Sequence, residues 1–440
     1  MGSKKVCIVG AGSSGIATAK VLAEHGVPFD CLEKGSGVGG NWRFRNDNGM
    51  SASYASLHIN TSKERMAYSD YPMPADFPDY PHHSQILQYF EDYVDHFGFR
   101  DRLRFRTGVE RIEPEDGAWR VTSRSEDDGS EHTEVYRAVA VANGHHWHPR
   151  WPDFPGDFGG RVMHSHSYET FEGFEGRRVL LVGIGNSAVD IACELSRVSE
   201  KVFLSTRRSA HILPKYAFGK PIDHFTTPRS SKFPLWMQLK SFEFVLGVAR
   251  GNQERFGVPK PEHHLLQAHP TISADLLNLV GHGRIHMKPN LDRLDGDGVV
   301  FVDGSREEVD TVIYCTGYRI RFPFLDEGLI APERNEVGLY RQVVHPDHPG
   351  LYFVGLVQPL GAIMPLAEAQ SQWIARLLTG STSLPDRRKM VRGIERDRDA
   401  MRRRYVTSDR HTIQVDFYPY LHQVQKEMRR PPRTAAATAP

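Results

Sequence analysis

Two stretches of the chain share one order of apolar and polar positions. A run of four apolar residues leads into a glycine-rich turn, first at residues 6–9 before residues 10–15 and again at residues 179–182 before residues 183–188. Apolar residues at helical spacing follow each turn, and a second short, largely apolar run closes each stretch at residues 29–32 and 201–204. The pattern predicts two strand–turn–helix–strand units of Rossmann type, and therefore an α/β fold.

The first turn has the glycine spacing that lets a backbone approach a pyrophosphate. Gly10 and Gly12 allow the tight turn, and the phosphate then lies at the amino end of the following helix. The next strand runs into Glu33, at the position where an acidic residue holds a ribose 2′-hydroxyl. We therefore predict FAD binding by Gly10, Ala11, Gly12, Ser13, Ser14, Gly15 and Glu33.

The second turn leads to a different ending. Its closing strand runs into Ser205, Thr206, Arg207 and Arg208, without an acidic residue. Two guanidinium groups suit a 2′-phosphate, whereas an NAD site would place Asp or Glu there. We therefore predict NADP(H) binding by Gly183, Gly185, Asn186, Ser187, Ala188, Thr206, Arg207 and Arg208.

The remaining pattern predicts further elements around these units. Ser84 is expected to cap an amphipathic helix that ends at Gly98, and residues 386–404 read as a helix with a solvated, mixed-charge face. Residues 210–269 show little periodicity and are expected to form a loop-rich insertion. The apolar run at residues 312–315 echoes the one before Gly144, so it is expected to return to the first sheet.

Composition narrows the classes of function. A formal net charge of +1 gives no electrostatic case for a nucleic-acid partner. The glycine turn interrupts the amino-terminal apolar run, so no signal peptide is expected, and no run of about 18 apolar residues predicts a membrane helix. We therefore expect a cytoplasmic protein without a membrane partner.

Cysteine and histidine positions exclude two further kinds of chemistry. No Cys-x-x-Cys pair occurs, which removes redox-disulfide flavoenzymes, and the cysteines are expected to be buried apolar residues. The histidines between the two units lack the partner spacing of a metal site, so no metal is expected. These histidines are His145, His146, His148, His164 and His166.

Two polar segments of the first half are candidates for cofactor contact. Gly40, Asn41 and Trp42 end a glycine-rich loop that could meet a flavin pyrophosphate or could simply be a turn. Asn60 carries an amide that could donate to a flavin or a peroxide, whereas the neighbouring Thr61 could cap a short turn. The residues alone leave both alternatives open.

One spacing between the two units identifies a family. Phe158, Gly160, His164 and Tyr168 form F-x-G-x-x-x-H-x-x-x-Y, which resembles the fingerprint of the class B flavin-containing monooxygenases. The resemblance covers nearly the whole chain in the family's order. It includes residues 39–42, 60–64, 70–72, 205–208, 315–318, 368–373 and 410–416.

The resemblance implies two Rossmann-like domains, with a smaller NADPH domain inserted in a larger FAD domain. Residues 1–165 and 285–440 would form the FAD domain, and residues 166–284 the NADPH domain. It adds Gly40, Asn41, Trp42, Asn60, Thr61 and Gln358 to the FAD contacts and Asp190 to the NADP contacts. A soluble, microbial-type form and a homodimer are further expectations.

The resemblance also implies the reaction. Hydride passes from NADPH to FAD, and O₂ then gives a C4a-hydroperoxyflavin that oxygenates the nitrogen of amines or the sulfur of sulfides, as in N,N-dimethylaniline monooxygenases. Asn60 is the implied catalytic residue, donating a hydrogen bond near the flavin. Baeyer–Villiger oxygenation of ketones, an uncoupled NADPH oxidase and a flavoprotein sensing module are the alternatives.

Overall fold

The computed structural model describes residues 4–406 and 412–432, and within them the chain forms two compact units. The first comprises Lys63–His148 with the described residues of Met1–Ser51 and Arg319–Pro440. The second comprises Ala52–Ser62 and Pro149–Tyr318. Arg410 and His411, the first residues of the last family-like segment, lie outside the described residues.

The elements follow the predicted alternation of strands and helices. The strands are β1 (Val6–Val9), β2 (Phe29–Leu32), β3 (Leu103–Arg104), β4 (Thr107–Glu115), β5 (Ala118–Ser125), β6 (Glu131–Tyr136), β7 (Ala138–Val141), β8 (Arg161–His164), β9 (Arg178–Val182), β10 (Lys201–Ser205), β11 (Ile212–Leu213), β12 (Tyr216–Ala217), β13 (Lys220–Pro221), β14 (Thr271–Ile272), β15 (Ile285–Lys288), β16 (Leu291–Asp295), β17 (Gly298–Phe301), β18 (Arg306–Glu308), β19 (Thr311–Tyr314), β20 (Leu351–Phe353), β21 (Gln358–Leu360) and β22 (Gln414–Asp416). The helices are α1 (Ser13–Glu24), α2 (Lys63–Met66), α3 (His83–Phe97), α4 (Asn186–Leu195), α5 (Leu235–Arg250), α6 (Leu276–Gly281), α7 (Met364–Leu378), α8 (Arg387–Arg404) and α9 (Phe417–Met428).

The first unit is built on a parallel sheet with the order β20-β7-β1-β2-β3. Its central strand β1 is buried throughout, with Val6 opposite both Phe29 and Ala138. Strands covered on both faces read as continuous apolar runs, which is why β1, β2 and β7 lack alternation. The carboxyl ends of these strands therefore meet at one edge, where the first glycine turn lies.

The second unit contains a parallel sheet with the order β15-β10-β9-β19-β8. The prediction that the apolar run at residues 312–315 returns to the first sheet was wrong, because β19 pairs with β8 and β9 here. Strands β8 and β15 join the same sheet, so this unit extends beyond residues 166–284 to Pro149 and Tyr318. Short buried strands look alike in sequence, and only their pairing identifies the sheet.

Two helices show where the sequence pattern was sufficient and where it was not. Helix α3 ends at Gly98, which adopts a left-handed φ of 67°, as expected. Its amino end is capped by His82, not by the predicted Ser84, because the His82 ring accepts the Ser84 N–H. Helix α5 was not predicted, since residues 210–269 were expected to be loop-rich.

Helix α8 forms where the mixed-charge run predicted it, with Asp386 at its amino cap. Among residues 4–406 and 412–432, no helix is long and apolar enough to cross a bilayer.

Candidate cofactor sites

The first glycine turn joins β1 to α1 at the carboxyl edge of the first sheet. Gly10 has a φ of +97°, and a Cβ there would lie 2.9 Å from the Ala142 carbonyl oxygen. A Cβ on Gly15 would lie 1.8 Å from the Gly10 carbonyl oxygen. Both glycines are therefore required by the contacts of the polypeptide itself.

Gly12 differs, because the protein leaves room for a side chain there. Its φ is −74°, and a Cβ would meet only Gly40, at an ordinary distance of 3.6 Å from the Cα atom. Gly12 is the amino cap of α1, and no side chain among the described residues caps that helix end. An uncapped helix end beside an open glycine backbone suits a phosphate group.

The loop at residues 37–42 lies against this turn. The Gly39 N–H donates to the Ala11 carbonyl oxygen at 3.1 Å, and Gly40 follows with a φ of +52°. Asn41 is exposed and Trp42 is partly exposed. The structure thus places the loop that carries Gly40–Trp42, which were predicted as FAD contacts, next to the first glycine turn.

Glu33 lies at the end of β2 and is buried, with an exposure of 4%. Its Oε2 accepts the Ala11 N–H at 2.7 Å, and its Oε1 accepts the Gly35 N–H at 2.7 Å and the Asn48 amide at 3.1 Å. A carboxylate has about four acceptor positions, so Oε2 retains capacity for a ribose hydroxyl. Glu33 therefore also fixes the glycine turn, a role the sequence prediction did not include.

Gly355 is a component of this site that the sequence prediction missed. It follows β20 with a φ of +75°, and a Cβ there would lie 2.1 Å from the Ser14 Oγ at the start of α1. The Gln370 amide oxygen accepts its N–H at 2.8 Å. The signal was a glycine at the end of a buried apolar run, as at Gly10. Gln358 lies nearby in sequence as the first residue of β21, and its N–H donates to the carbonyl oxygen of Ile413, the residue before β22.

The second glycine turn joins β9 to α4 in the second unit. Gly183 has a φ of +131°, and a Cβ there would lie 2.6 Å from the Cys315 carbonyl oxygen. Gly185 is the amino cap of α4, again without a capping side chain in the described part of the chain. Ser187 is exposed in the first turn, whereas Ala188 is fully buried at the position of the third glycine.

The predicted 2′-phosphate residues follow β10 at the same sheet edge as this turn. The Gly183 N–H donates to the Ser205 carbonyl oxygen at 2.8 Å, which places residues 205–208 beside the turn. Arg207 and Arg208 are exposed, and Thr206 donates to the Arg208 carbonyl oxygen at 2.6 Å. Asn186 was also predicted as an NADP contact. Its Oδ1 accepts the Ile272 N–H at 2.8 Å and so anchors β14.

Asp190 lies one turn along α4 and forms a polar pair with the buried Tyr54. The Tyr54 hydroxyl donates to its Oδ2 at 2.8 Å. Burial raises the pKa of Asp190 to about 6, and the hydrogen bond from Tyr54 opposes this rise. Asp190 therefore anchors the segment that contains Tyr54, which is a structural role beside the predicted NADP contact.

Asn60 and Thr61, predicted as FAD contacts, lie in the second unit and not in the unit that carries the first glycine turn. Asn60 is partly exposed, but its Oδ1 is buried and has no hydrogen-bond partner in the described chain. A buried amide oxygen without a donor is costly, so this atom calls for a partner from a ligand or water.

The fingerprint residues pack inside the second unit. His164 is fully buried, its Nδ1 accepts the His166 N–H at 3.1 Å, and burial lowers the pKa of His164 to about 4. The Tyr168 hydroxyl donates to Glu194 on α4 at 2.6 Å. A Cβ on Gly160 would lie 2.6 Å from the Asp310 carbonyl oxygen. The Tyr168–Glu194 hydrogen bond joins the segment after β8 to α4, the helix that follows the second glycine turn.

The donor sets fit the two predicted cofactors. The first unit offers an uncapped helix end, an open Gly12 backbone and a carboxylate with acceptor capacity. The second offers an uncapped helix end and two exposed guanidinium groups. Among the described residues, no group of histidine, cysteine, aspartate or glutamate side chains could hold a metal ion.

Comparison with known proteins agrees with these features. Residues 3–436 match the family model of the flavin-binding monooxygenase-like proteins. The chain is 38% identical to flavin-containing monooxygenase 5 of Oryctolagus cuniculus, over 96% of this chain and 82% of that protein. It is 35% identical to dimethylaniline monooxygenase [N-oxide-forming] 2 of Mus musculus, over 97% and 83%.

A solved structure has the same fold. The S-allyl-L-cysteine S-oxygenase from Allium sativum superposes with a TM-score of 0.74 at 26% identity, over 98% of this chain and 90% of that chain.

Proposed function

Because the chain belongs to the flavin-binding monooxygenase-like family, we propose that it oxygenates soft nucleophiles, the nitrogen of amines and the sulfur of sulfides. Members of this family depend on FAD and NADPH, and this chain is an NADPH-dependent flavin monooxygenase. The substrate class is supported by the names of two relatives, an N-oxide-forming dimethylaniline monooxygenase and an S-oxygenase.

The observation that carries this proposal is the pair of uncapped glycine turns with opposite endings, Glu33 after the first and Arg207–Arg208 after the second. In our proposal the first unit binds FAD through residues 10–15, Glu33 and Gly40, and the second binds NADPH through residues 183–188 and 206–208. Bound FAD supplies the redox chemistry with NADPH and O₂.

The side chains then have the tasks of binding, orienting and excluding water. A nucleophilic amine or sulfide needs no general base to form a bond to an electrophilic oxygen, so no triad of side chains is required. Asn60 is the residue that we propose lies at the flavin, donating through Nδ2 while its unpartnered Oδ1 gains a donor.

The test measures where the electrons of NADPH go. The purified holoenzyme is given NADPH, O₂ and either N,N-dimethylaniline, methyl phenyl sulfide or a cyclic ketone, and product and H₂O₂ are quantified per NADPH. We expect N-oxide and sulfoxide as the main products. A lactone as the sole product would favour the Baeyer–Villiger alternative, stoichiometric H₂O₂ with every substrate would favour an oxidase, and bound FAD without NADPH turnover would favour a sensing module.

Replacement of Asn60 tests its assigned role. Asn60→Ala is expected to bind FAD and oxidise NADPH, yet to release most of the reducing equivalents as H₂O₂, because the hydrogen bond at the flavin is lost. Asn278→Ala in α6 of the same unit serves as the control. An unchanged yield of product per NADPH in Asn60→Ala would remove Asn60 from the site.

A homodimer, which the family resemblance implies, and a cytoplasmic location stay predictions. Sedimentation of the holoenzyme tests the first, with a mass of twice 49.8 kDa expected. Fractionation of cells tests the second.

A further inference from the structure

The segment that contains Asn60 is attached to the second unit at both of its ends. Near its start, Tyr54 lies in the core of that unit with an exposure of 3%, and its hydroxyl donates to Asp190. The Ala55 N–H donates to the Glu169 carbonyl oxygen at 2.8 Å. At its end, Ser62 is fully buried.

The contact at Ser62 comes from the insertion after β10. The Ser62 N–H donates to Asp223 Oδ2 at 2.7 Å, and the Ser62 hydroxyl lies 3.1 Å from His224 Nε2. Asp223 and His224 belong to the short 3-10 helix Ile222–Phe225. A carboxylate that accepts a buried backbone N–H forms a short, charge-assisted hydrogen bond, which holds the backbone in one place.

The hydrogen bond between Asp223 and Ser62 lies two residues after Asn60 in the chain. The following residue, Lys63, belongs to the first unit, where its N–H donates to the Asp79 carbonyl oxygen at 2.8 Å. Ser62 is therefore the last residue of the Asn60 segment that belongs to the second unit, and the hydrogen bond to Asp223 holds it there. The backbone of Asn60 lies between this point and the Tyr54 anchor.

We propose that Asp223 is a positioning residue, which fixes the Asn60 segment to the NADPH-binding unit through Ser62 and so sets the orientation of the Asn60 amide. The proposal rests on the proposed function, because we infer that this attachment controls how much of the NADPH oxidation is coupled to oxygenation of the substrate. Asp223 would thus give the insertion at residues 210–269, which follows β10, a role in directing the electrons of NADPH to the substrate.

The test compares three changes at the contact in the FAD-loaded protein. Asp223→Ala removes the acceptor, Asp223→Asn keeps an oxygen that can accept the Ser62 N–H, and Ser62→Ala keeps the N–H and removes the hydroxyl. The matched control is Asp303→Ala, which removes a carboxylate that accepts the Ser305 N–H at 2.9 Å elsewhere in the second unit.

Two measurements are made on each variant. Hydrogen–deuterium exchange of residues 52–62 reports the attachment without any turnover, and loss of the bond is expected to speed exchange at Ser62 about tenfold in Asp223→Ala. The second measurement is the fraction of NADPH that yields H₂O₂, together with FAD content and the KM for NADPH.

The expected result has a pattern that loss of general stability would not give. Asp223→Ala should raise the H₂O₂ fraction several-fold while FAD content and KM for NADPH stay within about twofold of the unmodified protein. Asp223→Asn should restore most of both readouts, Ser62→Ala should change exchange less than Asp223→Ala, and Asp303→Ala should match the unmodified protein.

Unchanged hydrogen exchange at Ser62 in Asp223→Ala would show that Asp223 does not hold the segment. Faster exchange with an unchanged yield of product per NADPH would show that the attachment does not control coupling. If Asp223→Ala yields no holoenzyme, Tyr54→Phe removes the 2.8 Å hydrogen bond of the other anchor and is judged by the same two readouts. If the unmodified protein releases only H₂O₂ with every substrate, the proposed function fails, and exchange at Ser62 alone decides whether Asp223 holds the segment.

Discussion

Glycines in the first turn serve two different purposes, which their surroundings distinguish. Gly10 and Gly15 have no space for a Cβ because carbonyl oxygens of the chain lie within 3 Å of its position. Gly12 has space and an ordinary φ, so the fold alone does not require glycine there. We therefore propose that glycine at this position serves the approach of the FAD pyrophosphate.

This difference gives a prediction for two variants of the same turn. Gly12→Ala is expected to keep the stability of the protein without FAD to within about 1 kcal/mol, the usual cost at a helix amino cap, and to lose FAD binding. Gly15→Ala is expected to lose both the stability of the flavin-free protein and FAD binding, because its Cβ would collide with the Gly10 carbonyl oxygen. Flavin absorbance of the purified protein measures loading, and urea denaturation of the flavin-free form measures stability.

Gly247→Ala is the control, since nothing lies within 4 Å of a Cβ at that position of α5. Equal destabilisation of the flavin-free form by Gly12→Ala and Gly15→Ala would show that both glycines serve packing only.

At the scale of elements, α1 and α7 meet through buried polar groups. The Lys20 side chain is only 2% exposed, and its Nζ pairs with Glu24 at 3.0 Å, with Asp70, and with Glu368 of α7 at 3.9 Å. Thr18 and Ser371 hydroxyls lie 2.9 Å apart at the same junction. Burial raises the pKa of Glu368, while the Ser69 N–H opposes this rise. The glycine turn thus precedes a helix that is fixed by an ion cluster.

Removal of the lysine is expected to destabilise this junction. Lys20→Met leaves the Glu368 and Asp70 carboxylates without their cation, at a cost of about 3 kcal/mol. The double variant Lys20→Met with Glu368→Gln should recover part of this loss, because the uncompensated buried charge is gone. Urea denaturation at pH 7 measures both.

The control is Lys389→Met, which breaks an exposed pair with Asp386 and should cost at most about 0.5 kcal/mol. A loss in Lys20→Met as small as that of the control would mean that the cluster adds no stability.

Elements with local signals were predictable, and elements without them were not. Helix α3 has an apolar face and a terminal glycine, and α8 coincides with a mixed-charge run of helical character, so both were predicted. Helix α5 exposes many of its apolar side chains, among them Trp236, Phe244 and Val248, so its sequence shows no single buried face. Without that periodicity the chain reads as a loop.

At the scale of the whole molecule, the chain passes between its two units four times, after Ser51, Ser62, His148 and Tyr318. The second and larger of the inserted pieces carries β8 to β19, and the first carries Asn60. A ligand that binds one unit should therefore protect residues that are far apart in sequence.

Cofactor-dependent protection is expected to follow the units. NADP⁺ should slow hydrogen exchange around residues 183–188 and 205–208 of the second unit, and at 100 times its Kd it should stabilise that unit by about 2.7 kcal/mol. NAD⁺ should protect these residues far less, because it lacks the 2′-phosphate. The double variant Arg207→Ala with Arg208→Ala should lose the advantage of NADP⁺ over NAD⁺.

Equal protection by NADP⁺ and NAD⁺ in the unmodified protein would contradict the assignment of these arginines. Protection confined to residues 10–15 would contradict the assignment of NADPH to the second unit.

The sequence by itself determined the two dinucleotide-binding turns, their opposite endings and the α/β class, because these depend on glycine spacing, buried runs and charge within about 30 residues. Only the tertiary structure decided that β19 belongs to the second sheet, that Gly355 meets Ser14, and that Asn60 belongs to the second unit. Each of these depends on pairing between residues far apart in the chain. Short apolar strands do not encode their partners, so packing and hydrogen bonding of the folded chain select them.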